Sequence, residues 1–71
     1  MTNVYTKQFG DKTVTIEDQR DILMRYRPED VDRFGFVLCI QDGSMKSEVT
    51  FATYREAEEN ILLRALYGYL S

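Results

Sequence analysis

Residues 34–51 constrain this chain more than any other stretch. Phe34, Phe36, Leu38 and Ile40 fall on alternate positions, and after Asp42-Gly43 the alternation resumes through Met45, Val49 and Phe51. A side-chain period of two belongs to a strand with one buried face. Asp-Gly between two such runs is a strong signal for a two-residue type I′ hairpin loop. With Asp42 and Gly43 as the loop, Gln41 faces Ser44, Ile40 faces Met45, Leu38 faces Ser47, Phe36 faces Val49 and Phe34 faces Phe51. One face then holds Phe34, Phe36, Leu38, Ile40, Met45, Val49 and Phe51. The other holds Val37, Cys39, Gln41, Ser44, Lys46, Glu48 and Thr50. Turn chemistry and hydrophobic pattern agree on this division.

Ala52-Thr53 leads from the hairpin into a helix. Thr53 followed three residues later by Glu56 is a capping box, and Glu58 and Glu59 add negative charge near the positive end of the helix dipole. At about 100° per residue, Tyr54, Ala57, Ile61, Ala65 and Gly68 make one stripe suited to close packing on a sheet. Leu63, Leu66, Tyr67 and Leu70 make a second stripe on the far side, with Leu62 and Tyr69 flanking the first. A single sheet covers only one of these. The second stripe is therefore a candidate interface with a second copy of the chain, unless residues 17–33 fold over it within one monomer.

The N-terminal half is punctuated less sharply. Val4 to Phe9 and Thr13 to Ile16 are rich in β-branched and aromatic residues, and Gly10-Asp11 separates them as a turn. In that hairpin Phe9 faces Lys12, Tyr5 faces Ile16, and Tyr5, Phe9, Val14 and Ile16 share a face. Residues 17–27 admit two readings. As a helix, Ile16, Leu23 and Met24 align and Thr15 with Asp18 resembles a capping pair; as a strand, Ile22, Met24 and Tyr26 alternate. The acidic start and the good helix formers favour the helix. Pro28-Glu29-Asp30-Val31-Asp32 reads as a short helical turn ending near Gly35. The predicted fold is a single α+β domain over residues 1–71. Its small antiparallel sheet of two β-hairpins packs against a C-terminal α-helix, and the helical reading adds a short helix between the hairpins.

Size sharpens the question of self-association. A chain of 71 residues builds a core worth only about 3–5 kcal/mol, and small domains commonly add disulfides, metals or oligomerisation. Cys39 is the only cysteine and there is no histidine, so an internal disulfide and zinc sites of Cys and His are excluded. A lone cysteine and no signal-like apolar N-terminus point to a reducing, cytoplasmic compartment. The longest apolar run, Phe34 to Ile40, is far short of a membrane span. A net charge of −3 works against electrostatic capture of nucleic acid.

Three acidic clusters stand out: Glu17/Asp18/Asp21, Glu29/Asp30/Asp32 and Glu56/Glu58/Glu59. The first and third fall where helices are predicted to begin, which suits acids for dipole reasons alone. Glu29, Asp30 and Asp32 lack the glycine and spacing of a calcium loop and are candidate partner-facing acids. Arg20, Arg25, Arg27 and Arg33 interleave with acids, as in a salt-bridged surface. No phosphate loop, serine elbow or two-histidine motif is present, and Cys39 has no histidine to activate it. No catalytic, cofactor or metal residues are expected.

The segment Val49-Thr50-Phe51-Ala52-Thr53-Tyr54-Arg55-Glu56-Ala57 resembles the strand-to-helix step of the sheet-plus-helix DNA-binding modules of the AP2 and integrase arm-binding type. The resemblance implies that the hairpin face turned away from the helix reads DNA. The corresponding positions are Val37, Cys39, Gln41, Ser44, Lys46 and Glu48, with one lysine among them, whereas the family's face is basic and aromatic. The residues themselves point first to a non-enzymatic protein-interaction domain acting as a homodimer, a regulator or inhibitor of the kind phages and mobile elements encode. A nucleic-acid-binding module is the alternative that the resemblance implies.

Overall fold

Two glycines set both hairpins. The structure is a computed structural model and describes residues 1–70. Strands β1 (Thr2–Phe9) and β2 (Lys12–Asp18) are joined by Gly10-Asp11, and β3 (Phe36–Asp42) and β4 (Met45–Phe51) by Gly43-Ser44. Gly10 and Gly43 have φ of 59° and 60°, and among the described residues none other than glycine has positive φ. This is the pattern of type II′ turns, which need positive φ only at the first loop position; type I′ needs it at both. The same side-chain bond accompanies each turn. Gln8 Nε2 donates to the Gly10 carbonyl at 3.1 Å, and Gln41 Nε2 to the Gly43 carbonyl at 2.7 Å.

The first hairpin has the predicted register, with Phe9 opposite Lys12 and Tyr5 opposite Ile16. The second does not. Asp42 stays in its strand opposite Met45, so Ile40 faces Ser47, Leu38 faces Val49 and Phe36 faces Phe51. A type I′ loop at Asp42-Gly43 would force positive φ on Asp42, whereas moving the loop on by one residue leaves that burden to glycine alone. Each pairing slides by two residues along β4, so both faces keep their predicted residues. Phe34 is the exception: it closes a helix and does not belong to the strand.

The strands form one antiparallel sheet in the order β1-β2-β3-β4. Both glycine turns lie at one end. At the other end, residues 19–35 link β2 to β3 through α1 (Arg20–Tyr26), a 3-10 turn (Pro28–Asp30) and α2 (Val31–Phe34). The predicted helix is thus present but starts later. Thr15 lies in β2 opposite Cys39, Ile16 is fully buried, and the strand runs on to pair Asp18 with Phe36. Thr15 caps nothing: Gln19 holds the N-cap position of α1 without a side-chain cap bond, and Asp18 Oδ1 accepts from the Arg20 backbone N–H at 3.0 Å. Gln19 clasps the two ends of the connection, donating from its backbone N–H to the Gly35 carbonyl at 2.9 Å and from Nε2 to the Phe34 carbonyl at 2.6 Å.

Helix α3 (Tyr54–Leu66) returns over the sheet toward the glycine turns. Thr53 Oγ1 accepts from the Glu56 backbone N–H at 3.2 Å, as the capping box predicts. The core joins Val14 and Ile16 of β2, Phe36 and Leu38 of β3, Ala57 and Ile61 of α3, and Leu70. Tyr5, Phe9, Ile40, Phe51 and Tyr54 pack around it. Phe36 meets Tyr54 edge-on at 6.2 Å on one side, and the Arg20 guanidinium lies 5.0 Å above its ring. The expected α+β architecture of two hairpins, an intervening short helix and a C-terminal helix is the one observed.

The helix ends sooner than its hydrophobic pattern suggests. Gly68 has φ of 83°; its backbone N–H donates to the Ala65 carbonyl at 3.2 Å, and Tyr69 N–H to the Arg64 carbonyl at 2.8 Å. That pair of bonds is a Schellman motif, which reverses the chain beyond the helix. Leu70 is thereby carried back into the core, where it is 2% exposed. It does not belong to the outer stripe. Ala65 and Gly68, expected against the sheet, are exposed instead, and Leu70 fills that end of the core.

Candidate interaction surface

Once α3 has docked through Ala57 and Ile61, its opposite side keeps Leu62, Leu63, Leu66 and Tyr67 at 63, 51, 77 and 71% exposed. Tyr69, just past the helix, is 70% exposed. Residues 17–33 do not cover this surface. They sit at the far end of the sheet, around Asp18, Gly35 and the start of β3. Three of the four predicted stripe residues, Leu63, Leu66 and Tyr67, are thus brought together on the surface. The fourth, Leu70, is removed by the chain reversal at Gly68.

The two flanks of the helix differ in what lies beside them. Tyr54 and Glu58 lie on the flank toward β1: burial first, then a hydrogen bond to Glu58, pushes the Tyr54 phenol above its ordinary value, and nearby Tyr5 adds to the shift. Arg64 lies on the other flank, lining a pocket of about 210 Å³ with Lys12 of β2, Ile40 and Asp42 of β3, Met45 and Ser47 of β4, and Tyr69. At about 100° per residue, Leu63 and Tyr67 follow Arg64 round that flank, while Leu66 crowns the helix. Leu62, four residues after Glu58, lies on the β1 flank, so the apolar surface spreads over both flanks and reaches the β4 side through Leu63 and Tyr67.

Strand β4 adds to it. Its odd-numbered residues share the helix side of the sheet, yet Val49 is 39% and Met45 74% exposed. Width explains this. Four strands at about 4.8 Å spacing span more than a single helix of about 10 Å diameter covers, so edge residues on the covered face stay open. The sequence pattern placed Met45 and Val49 on the core face correctly. Their exposure follows from how many strands one helix must cover.

The acidic candidates separate. Asp30 is 7% exposed and pairs with Arg27 at 2.9 Å, so it faces inward and does not present its charge to a partner. The proline-started turn puts it on the inner side. Glu29 and Asp32 are exposed. Asp18 receives Arg20 Nε at 3.0 Å and a terminal guanidinium nitrogen at 2.7 Å, and this hydrogen bonding holds its carboxyl below its ordinary value. Asp18 and Asp21 border an open groove with Arg20, Met24 and Val31. Among the described residues, no group of three or more Asp, Glu, Cys or His side chains is placed to hold a metal ion.

On the face of the sheet turned away from α3, Val37 is buried at 6% exposed and Cys39 is half-buried, while Lys46, Glu48 and Thr50 are exposed. That face carries Thr13, Thr15, Glu17, Val37, Cys39, Gln41, Lys46, Glu48 and Thr50. With one lysine against two glutamates, these positions carry no net positive charge. Among the described residues, no helix is long and apolar enough to cross a membrane. Compared with models of protein families, with curated proteins and with solved structures, the chain matches none.

Proposed function

We propose that this chain is a small, non-enzymatic protein-interaction domain that works as a homodimer, and that the outer side of α3 is its contact surface. One observation carries the reading: Leu62, Leu63, Leu66 and Tyr67 stand exposed side by side on a helix already docked by its other face. A folded monomer gains nothing from four large apolar side chains in water, and burying each is worth about 1.5–3 kcal/mol. In so small a domain, such burial is large against the stability of the core itself. A cytoplasmic regulator or inhibitor, covering a partner with this or the acidic surface, fits the size and charge.

Size-exclusion chromatography with light scattering across the micromolar range tests the reading. The expected result is a concentration-dependent dimer that L63E abolishes while circular dichroism stays unchanged. A strict monomer at every concentration would overturn it. The DNA-binding alternative, drawn from resemblance alone, predicts a mobility shift at low ionic strength; the charge of the sheet face away from α3 argues against one.

A further inference from the structure

The geometry points to how the second copy docks: edge to edge through β4, antiparallel to its own β4, in the register centred on Ser47, so that one sheet runs through both chains. The inference rests on the self-association proposed above and specifies its geometry. Of the two sheet edges, only β4 suits it. Strand β1 breaks register between Asn3 and Tyr5, where the Asn3 side chain accepts from the Tyr5 backbone N–H at 3.1 Å and from Thr6 Oγ1 at 3.0 Å. Bulges of this kind blunt an edge against further pairing. β4 pairs with β3 without interruption from Met45 to Phe51 and contains neither proline nor glycine.

Its hydrogen-bonding groups are disposed for pairing. In a two-residue hairpin the residues flanking the loop, here Asp42 and Met45, bond to each other. By alternation, Met45, Ser47 and Val49 direct their backbone groups to β3. Lys46, Glu48 and Thr50 direct theirs outward to the open edge.

The side chains then choose the register. Residues 45–49 read Met-Lys-Ser-Glu-Val, an apolar–plus–serine–minus–apolar pattern that is complementary to itself when reversed. Centred on Ser47, Lys46 lies opposite Glu48 of the second copy, and Glu48 opposite its Lys46, on the face away from α3. Met45 and Val49 lie opposite each other's mates on the helix side. The outward backbone groups of Lys46 and Glu48 fall into hydrogen-bonded pairs, as antiparallel pairing requires. The next permitted registers set either Glu48 or Lys46 against itself, and directly opposed like charges are destabilising. Within one chain Lys46 and Glu48 make only a 3.7 Å ion pair, both more than half exposed.

The same axis carries the helices together. Arg64 and Ser47 line one pocket, so a twofold through Ser47 passes beside the last turns of α3. The helix rests on β2, β3 and β4, centred on β3. Three strand spacings then separate the two helix axes by about 14 Å. Directly packed helices sit about 8–10 Å apart, and the remaining gap is what the long side chains Leu63 and Tyr67, on that flank, would fill. Edge strand and helical stripe thus become one interface.

Charge reversal and cross-linking test the register. K46E and E48K should each weaken the dimer about tenfold, and the double variant K46E/E48K should restore it. Ser47 would meet its own mate as a non-hydrogen-bonded pair, with Cα atoms about 4.5 Å apart, within reach of a disulfide. In a C39S background, S47C should therefore cross-link under mild oxidation and T50C should not. A dimer broken by L63E, yet indifferent to both reversals and uncross-linked by S47C, would overturn the β4 pairing and leave the helical interface standing. A monomer under all conditions would remove both.

Discussion

At Gly35 a methyl group would sit 2.8 Å from Arg20 Cγ and 2.9 Å from the Val31 carbonyl oxygen, although the backbone there, at φ −65°, suits any residue. At Gly43 the reverse holds: nothing lies within 4 Å, but φ is +60°. G35A is expected to cost about 1–3 kcal/mol through steric displacement of Arg20. G43A is expected to cost about 1–2 kcal/mol through left-handed backbone strain. Asn tolerates the left-handed region, so G43N should recover part of its loss while G35N should be worse than G35A. Thermal melts of the four variants separate the two causes. Asp18 offers a further test at this scale. Its pairing with Arg20 lowers the folded-state pKa, so the stabilisation is present at neutral pH and is lost as pH falls below about 4, through the folded value. D18N should remove that component and flatten the acid side of the stability curve, as urea midpoints measured against pH would show.

For elements, the end of α3 is the informative case. The chain reversal at Gly68 makes Leu70 a core residue and leaves Leu66 outside, four positions earlier. L70A is expected to destabilise the fold by about 2–5 kcal/mol, as large-to-small core changes do. L66A should move monomer stability by no more than about 0.5 kcal/mol. Chemical denaturation at low protein concentration, where association does not contribute, compares them; equal losses would mean that both residues belong to the core. At the other end of the helix, T53A should cost about 1 kcal/mol, because the Glu56 backbone N–H loses its acceptor.

For the whole molecule, association and folding should be linked. A dimer that binds through surface exposed in the monomer is stabilised by mass action, so its melting temperature should rise with protein concentration. L63E should lose that dependence and melt at one temperature throughout. Differential scanning calorimetry over a range of concentrations reads both. On the face of the sheet away from α3, Lys46, Glu48 and Thr50 of β4 are exposed while Val37 of β3 is buried, so that face offers polar surface at its β4 edge.

The sequence by itself determined whatever depends on neighbours along the chain. Alternation assigned Phe36, Leu38 and Ile40 to one face and Val37 and Cys39 to the other, and Thr53 with Glu56 marked the start of α3, because period and capping are local geometry. Even the misplaced loop at Asp42-Gly43 kept the faces, since a two-residue slide preserves parity. Tertiary structure decided what depends on distant parts. β2 runs to Asp18 and delays α1 because β3 is there to pair with it. Asp30 turns inward to Arg27 while Glu29 and Asp32 stay out. Met45 and Val49 sit on the core face yet remain exposed, because one helix is narrower than four strands. Leu70 is buried because the core has room at the end of α3, which no pattern of residues 54–70 discloses. Periodicity says which side of an element a residue occupies; only the assembled layers say whether anything lies on that side.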